Sequence, residues 1–226
     1  MTQHARVTGR HHLAPGLQQL NLEAPPGFTF TAGQFIILPV PPPAGAQPGG
    51  KPLKGFYSVA SAPAALPQLE LLVEHREGGG PVSAWVSSRA VGEELGFEGP
   101  LGHFGLLPGD GPCVFLGRRA GLAPLRSLVH QALAHGHEAW LFLGGDDPED
   151  WLLHQEWEAL ALREPRFFYR PALGDGAALA ALALAQGLGA SARFHLAGFT
   201  REIQPAQEAL QAAGVPHERL KAERFG

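Results

Sequence analysis

Residues 113–144 read CVFLGRRAGLAPLRSLVHQALAHGHEAWLFLG. The run from Cys113 to Gly117 is short, apolar and closed by a glycine, which is the pattern of a buried strand. A helical stretch from Pro124 to Ala134 follows, and Ala139 to Gly144 is a second apolar run. Working outward, helices are expected over Pro148–Leu162, Ala177–Gln186 and Pro205–Ala213, with strands over Arg166–Arg170 and Arg193–Gly198. Strand and helix in alternation, joined by short links, predict a parallel sheet with helices on both faces. Such sheets take ligands at the carboxyl ends of their strands.

The grammar differs before the LPGDGP linker that starts at Leu107. Short extended segments are expected at 4–14, 17–23, 33–40, 55–61, 69–74, 95–97 and 102–104, with one helix from Val82 to Ser88 opened by Pro81. A proline costs nothing at that first helical position, because its missing N–H would have had no partner there. A Pro/Gly loop covers 41–52. Many short strands and one helix predict a closed six-stranded antiparallel β-barrel. The expected domains are therefore 1–107, a barrel, and 108–226, an α/β unit.

The composition excludes several classes. Hydrophobic residues make up 45% of the 226 and charged residues 17%, so the chain has the means to build a core and does not read as disordered. The net charge is −4 and no basic block stands out, which argues against nucleic-acid binding. No apolar run reaches the roughly 18–20 residues of a membrane span, and Met1 to Arg10 has no apolar core of a signal peptide. A cytoplasmic location is expected. Cys113 is the single cysteine, so neither an internal disulfide nor an all-cysteine metal or iron–sulfur site is available. His11-His12 and His135-Gly136-His137 lack carboxylate or cysteine partners at ligand spacing, and no metal site is expected. One asparagine and one methionine against 21 prolines suit a heat-adapted protein, and a GC-rich genome gives the same bias.

The order of the motifs resembles the ferredoxin reductase-like flavoprotein family over essentially the whole chain. Gly55-Phe56-Tyr57-Ser58, continuing into Val59, stands where the family has Arg-x-Tyr-Ser/Thr. Gly80-Pro81-Val82-Ser83 stands for its Gly-x-Val-Ser. Gly99-Pro100-Leu101-Gly102 stands for Gly-Pro-x-Gly, and Arg118-Arg119-Ala120-Gly121-Leu122-Ala123-Pro124 for Gly-Gly-x-Gly-Ile-Ala-Pro. Ala197-Gly198-Phe199 matches Cys-Gly-Pro, and Glu223-Arg224-Phe225 the terminal acidic–aromatic pair.

The resemblance implies a bound flavin, with FAD favoured over FMN, reduced by a nicotinamide nucleotide and passing electrons to a separate acceptor. Tyr57 and Phe225 would stack on the flavin, and Ser58 would hydrogen-bond its ring beside Val59. Gly80, Pro81, Val82 and Ser83 would hold its phosphates, in a cradle that includes Gly78 and Gly79. Ser58 and Phe225 would be the residues nearest the chemistry. Gly121, Pro124 and Gly198 would line the nicotinamide nucleotide. Read singly, each has a plainer explanation: Tyr57 as barrel core, the glycines as a hairpin turn, Phe225 as packing.

The departures carry their own expectations. Gly55 replaces the arginine that neutralises the flavin pyrophosphate, leaving Lys51 or Arg76 as substitutes. Arg118 and Arg119 replace glycines; they obstruct a phosphate, clamp it from the side, stay solvated, or pair with Asp146 and Asp147. Ala197 replaces a cysteine beside the nicotinamide. Asp146-Asp147 favours ribose hydroxyls and repels a 2′-phosphate, so NADH is expected over NADPH, while Asp147 before Pro148 also makes a good helix cap. With three positions altered, a non-catalytic relative that binds another ligand or a partner protein is the alternative function.

Overall fold

Six strands build the first unit: β1 (Gln3–Ala14), β2 (Leu17–Glu23), β3 (Phe35–Val40), β4 (Leu53–Ser58), β5 (Gln68–Glu74) and β6 (Glu94–Leu101). The computed structural model describes residues 2–42, 52–75 and 80–225. The strands pair in the order β4-β3-β6-β1-β2-β5, every pair antiparallel. A bridge between Val59 and Leu71 joins the two edges, and the Ala60 N–H donates to Glu70 O at 2.7 Å, which closes the barrel. Alternate residues point inward, so Leu20, Leu22, Ile36, Leu38, Leu69, Leu71, Val73 and Phe97 form one core. The single helix, α1 (Pro81–Ser87), sends Val86 into that core and packs Val82 and Trp85 against it.

The second unit is a parallel sheet in the order β11-β10-β7-β8-β9. Its strands are β7 (Cys113–Arg118), β8 (Ala139–Gly145), β9 (Phe167–Leu173), β10 (Arg193–Phe199) and β11 (Leu220–Phe225). Its helices are α2 (Leu122–Ala134), α3 (His154–Arg163), α4 (Gly176–Ala185) and α5 (Thr200–Ala212). On one face α4 and α5 bury Leu179, Ile203 and Leu210 against Val114, Leu116 and Phe194. The opposite face takes α2, whose Leu125 sits so close over Gly117 that a Cβ there would come within 2.6 Å of it. Among the described residues no helix is long and apolar enough to cross a membrane.

Several expected boundaries shift, each for a local reason. The two units divide as Met1–His103 and Phe104–Gly226, a little before the expected linker. Leu107 is tied to the second unit: its N–H donates to His195 Nε2 at 2.9 Å, and Arg193 Nη1 donates to its carbonyl at 2.6 Å. The expected strand at 102–104 does not form, since β6 stops at Leu101 and Gly102 turns the chain at φ +99. The helix expected from Pro148 is interrupted: Asp147 caps a 3-10 turn over Pro148–Asp150, Leu153 adopts φ +59, and only then does α3 begin. In α5 the proline expected at the start, Pro205, lies inside the helix. Strand β11 was not expected at all; it pairs with β10 from Phe194↔Leu220 to Phe199↔Phe225.

Candidate functional site

In the barrel, Gly55 and Tyr57 share one face of β4, and Phe56 and Ser58 the other. The Tyr57 ring folds back over the bare Cα of Gly55 and lies beside Val82 of α1: a Cβ on Gly55 would be 2.6 Å from Tyr57 Cε2 and 2.9 Å from Val82 Cγ1. This burial pushes the Tyr57 phenol up to about 12, so it stays protonated. Ser58 is buried, and the N–H of the fully buried Val59 donates to Gln34 O at 2.9 Å. Lys54 points to the outer face and reaches Glu98 at 3.5 Å, away from the Gly55–Tyr57 side. The substitutes considered for the missing arginine, Lys51 and Arg76, lie outside the described residues, as do Gly78 and Gly79 of the expected cradle.

The start of α1 is open. Gly80 is the exposed N-cap, and nothing lies within 4 Å of where its Cβ would be. Pro81 follows as the first helical residue, so the next available backbone donors belong to Val82 and Ser83. The Ser83 hydroxyl, expected to add a phosphate contact, is engaged locally. It donates to Gly80 O at 3.2 Å and lies 3.1 Å from His75 Nδ1.

In the second unit, the turn after β7 is tighter than its glycine-rich counterpart. Arg119 takes a positive φ of +44 and starts a 3-10 turn, Arg119–Gly121, that runs directly into α2. Helix α2 therefore begins at Leu122, and Pro124 is a buried residue of its first turn rather than its first residue. Gly121 is bare because β10 passes it: a Cβ would lie 2.1 Å from Ala197 O. Gly198, the last residue but one of β10, sits at φ +148, facing Glu202 and Ile203. The Glu202 carboxylate accepts from the Phe199 N–H at 3.2 Å and caps α5. Phe225, at the end of β11, meets the Phe199 ring edge-on at 6.0 Å.

Both arginines are paired. Arg118 Nη2 lies 2.5 Å from Asp146 Oδ1. Arg119 is bonded to Asp150 rather than to the expected Asp147. Asp147 is a cap, accepting from the Glu149 N–H at 3.0 Å. Asp150 also accepts from the backbone N–H groups of Asp146 and Asp147. Burial alone would raise the Asp150 pKa; these donors and Arg119 outweigh it and hold the carboxyl below its usual range.

A family model described as an oxidoreductase FAD-binding domain matches residues 5–105. Ferredoxin–NADP reductase B of Sorangium cellulosum (strain So ce56) is 35% identical over 177 residues, covering 76% of this chain and 70% of that protein. The chain belongs to the ferredoxin–NADP reductase-like flavoprotein family. The reductase component of the propane 2-monooxygenase of Rhodococcus jostii (strain RHA1) is 26% identical over 240 residues, with 97% of this chain and 62% of that protein covered. Among solved structures, the cytochrome P450 reductase of Amycolatopsis superposes with a TM-score of 0.85 at 25% identity, over 100% of this chain and 70% of that one.

Within this reductase family fold, the expected residues fall into two groups. Tyr57, Ser58, Val59 and Gly80–Ser83 come together on β4 and α1 of the barrel; Gly121, Pro124, Gly198 and Phe225 gather at the carboxyl ends of β7, β10 and β11. Asp150 was missed. Its signal is the Asp147-x-x-Asp150 spacing of a reciprocal helix cap, which the structure forms. His195 was missed as well, because nothing in a strand sequence marks a buried imidazole that anchors a distant loop.

Proposed function

We propose that the protein is a flavin-dependent oxidoreductase that passes electrons from NAD(P)H through bound FAD to a separate acceptor. The observation that carries this is the pairing of a FAD-binding-domain match over residues 5–105 with an unobstructed Gly80 at the start of α1, next to the strand that bears Tyr57 and Ser58. A bound flavin supplies the redox chemistry, accepting hydride from a reduced nicotinamide and releasing electrons onward. The chain supplies position and exclusion of water. Gly80 and the backbone of Val82 and Ser83 hold the phosphate end. Tyr57 and Ser58 hold the ring from the barrel, and Phe225 is the aromatic residue that would stack on it. Gly121, Pro124 and Gly198 shape the nucleotide site.

FAD is favoured over FMN on the family's habit, and NADH over NADPH because the Asp146 carboxylate stands exposed at the end of β8, where it repels a 2′-phosphate. The likeness to the reductase component of a propane 2-monooxygenase supports an acceptor on another protein. A cytoplasmic, heat-adapted protein completes the reading; one asparagine and one methionine against 21 prolines support the second point. The rival, a non-catalytic relative, draws on one observation: Tyr57 fills the space that a side chain on residue 55 needs. Ferricyanide reduction by the FAD-loaded protein separates them. The proposal expects turnover with a higher kcat/KM for NADH than for NADPH; no turnover with either supports the rival.

A further inference from the structure

The two arginines after β7 are held in different ways. Arg119 and Asp150 are both largely buried, with side chains 15% and 12% exposed, and Asp150 is fixed by two backbone donors as well. That pair is part of the framework. Arg118 is 12% exposed, yet its partner Asp146 is 86% exposed. An ion pair with a carboxylate so fully solvated contributes little and exchanges readily.

The contact is also incomplete. Asp146 takes Nη2 only, and Arg118 Nε is buried with no hydrogen-bond partner. Nε and Nη2 lie along one edge of the planar guanidinium, an edge suited to gripping two oxygens at once. The stem of Arg118 packs across Gly144, where a Cβ would come within 3.1 Å of its Cγ. The cavity beneath, about 10 Å³ and bordered by Gly176, Glu202 and Ile203, admits at most one water. The guanidinium reaches Asp146, just past the carboxyl end of β8, where Arg118 itself ends β7 beside Gly144, and that is the ligand edge of a parallel sheet.

We infer that Arg118 is the residue that grips the nucleotide's phosphates and that Asp146 is its resting counter-ion, displaced when the nucleotide arrives. This rests on the reading of the second unit as a nicotinamide-nucleotide site. Asp146 then has two effects. It disfavours a 2′-phosphate, and it weakens every phosphate-bearing ligand by competing for Arg118.

Calorimetric titration of the whole FAD-loaded protein with NAD⁺ and with ADP, at one fixed low ionic strength, tests it. Arg118→Gln, which keeps most of the packed stem, is expected to weaken both ligands at least about tenfold. Arg118→Lys is expected to fall between, since it keeps the charge and loses the fork. Asp146→Asn, a change at an exposed position, is expected to tighten both. Arg118→Gln binding as tightly as wild type, or tighter, would show a plug and overturn the inference while leaving the nucleotide site standing. Wild type and Asp146→Asn both failing to bind either ligand would remove the nucleotide site and the inference together.

Discussion

The ring of Tyr57 occupies the place of the side chain that Gly55 lacks, and Val82 of α1 closes the other side of it. The glycine and the ring position belong together. A side chain returned to residue 55 forces the tyrosine off its shelf or α1 away from β4.

Gly55→Ala is accordingly expected to destabilise the barrel by roughly 1–3 kcal/mol, the usual cost of overpacking a filled site. Gly55→Arg is expected to bind FAD no better than wild type despite the added cation. Combining Gly55→Ala with Tyr57→Ser, which removes the ring, should cost less than the sum of the two single changes, because the new Cβ no longer meets the ring. Thermal unfolding and flavin fluorescence titration read these outcomes; additive losses in the double variant would show that the two positions are not coupled.

Two glycines offered as ligand contacts are expected to respond in opposite ways. Gly121→Ala drives a Cβ to 2.1 Å from the Ala197 carbonyl, and neither backbone has room to yield, so folding of the second unit should suffer severely. Gly80→Ala meets open space at an ordinary φ of −66, and its cost to folding should not exceed about 1 kcal/mol, that of a poorer helix cap. Loss of FAD affinity in a fully folded Gly80→Ala protein would mark close approach of a phosphate to that backbone. Unchanged affinity would remove Gly80 from the flavin site.

His195 makes stability depend on pH. Burial pushes its imidazole down to about 3, and it stays neutral while accepting the Leu107 N–H. In the unfolded chain the imidazole takes up a proton below about pH 6.5. Between these values the unfolded state binds more protons, so stability falls as pH drops from about 6.5 toward 3. His195→Gln retains an acceptor and removes the titration, and its urea-unfolding free energy should depend less on pH across that window. Glu156 acts at the acid end: burial opposes its ionisation, but His130 and Arg126 prevail and bring it to about 2. Its contribution is present above about pH 4.5 and lost below. A His195→Gln protein as acid-sensitive as wild type between pH 6 and 5 would contradict the assignment.

How much of this was legible in the sequence follows from the range of the forces involved. Local pattern exposed the barrel strands, the Pro81 helix start and the strand–helix alternation, because apolar periodicity and punctuation by Gly and Pro act over a few residues. Strand β11 escaped: Leu220–Phe225 carries Lys221, Glu223 and Arg224 and is a strand because β10 offers it an edge. The break at Leu153 escaped for a similar reason. Asp150 turns back toward Asp146, Asp147 and Arg119, and the partner that fixes it comes from the β7 turn. Of the site, the motif positions could be read, and pairing of Arg118 with Asp146 stood among the alternatives, but nothing local chose between them or pointed to Asp150 as the partner of Arg119. Arg118–Asp146 joins residues 28 apart, and the Tyr57 ring's place over Gly55 depends on where α1 sets Val82.

The central claim is that this chain holds a flavin that a nicotinamide nucleotide reduces. Anaerobic titration of the FAD-loaded protein with NADH, followed by visible absorbance, tests it most directly. Bleaching of the flavin bands near one equivalent of NADH is the predicted result. A protein that takes up neither FAD nor FMN, or one that stays yellow with both NADH and NADPH, would contradict it.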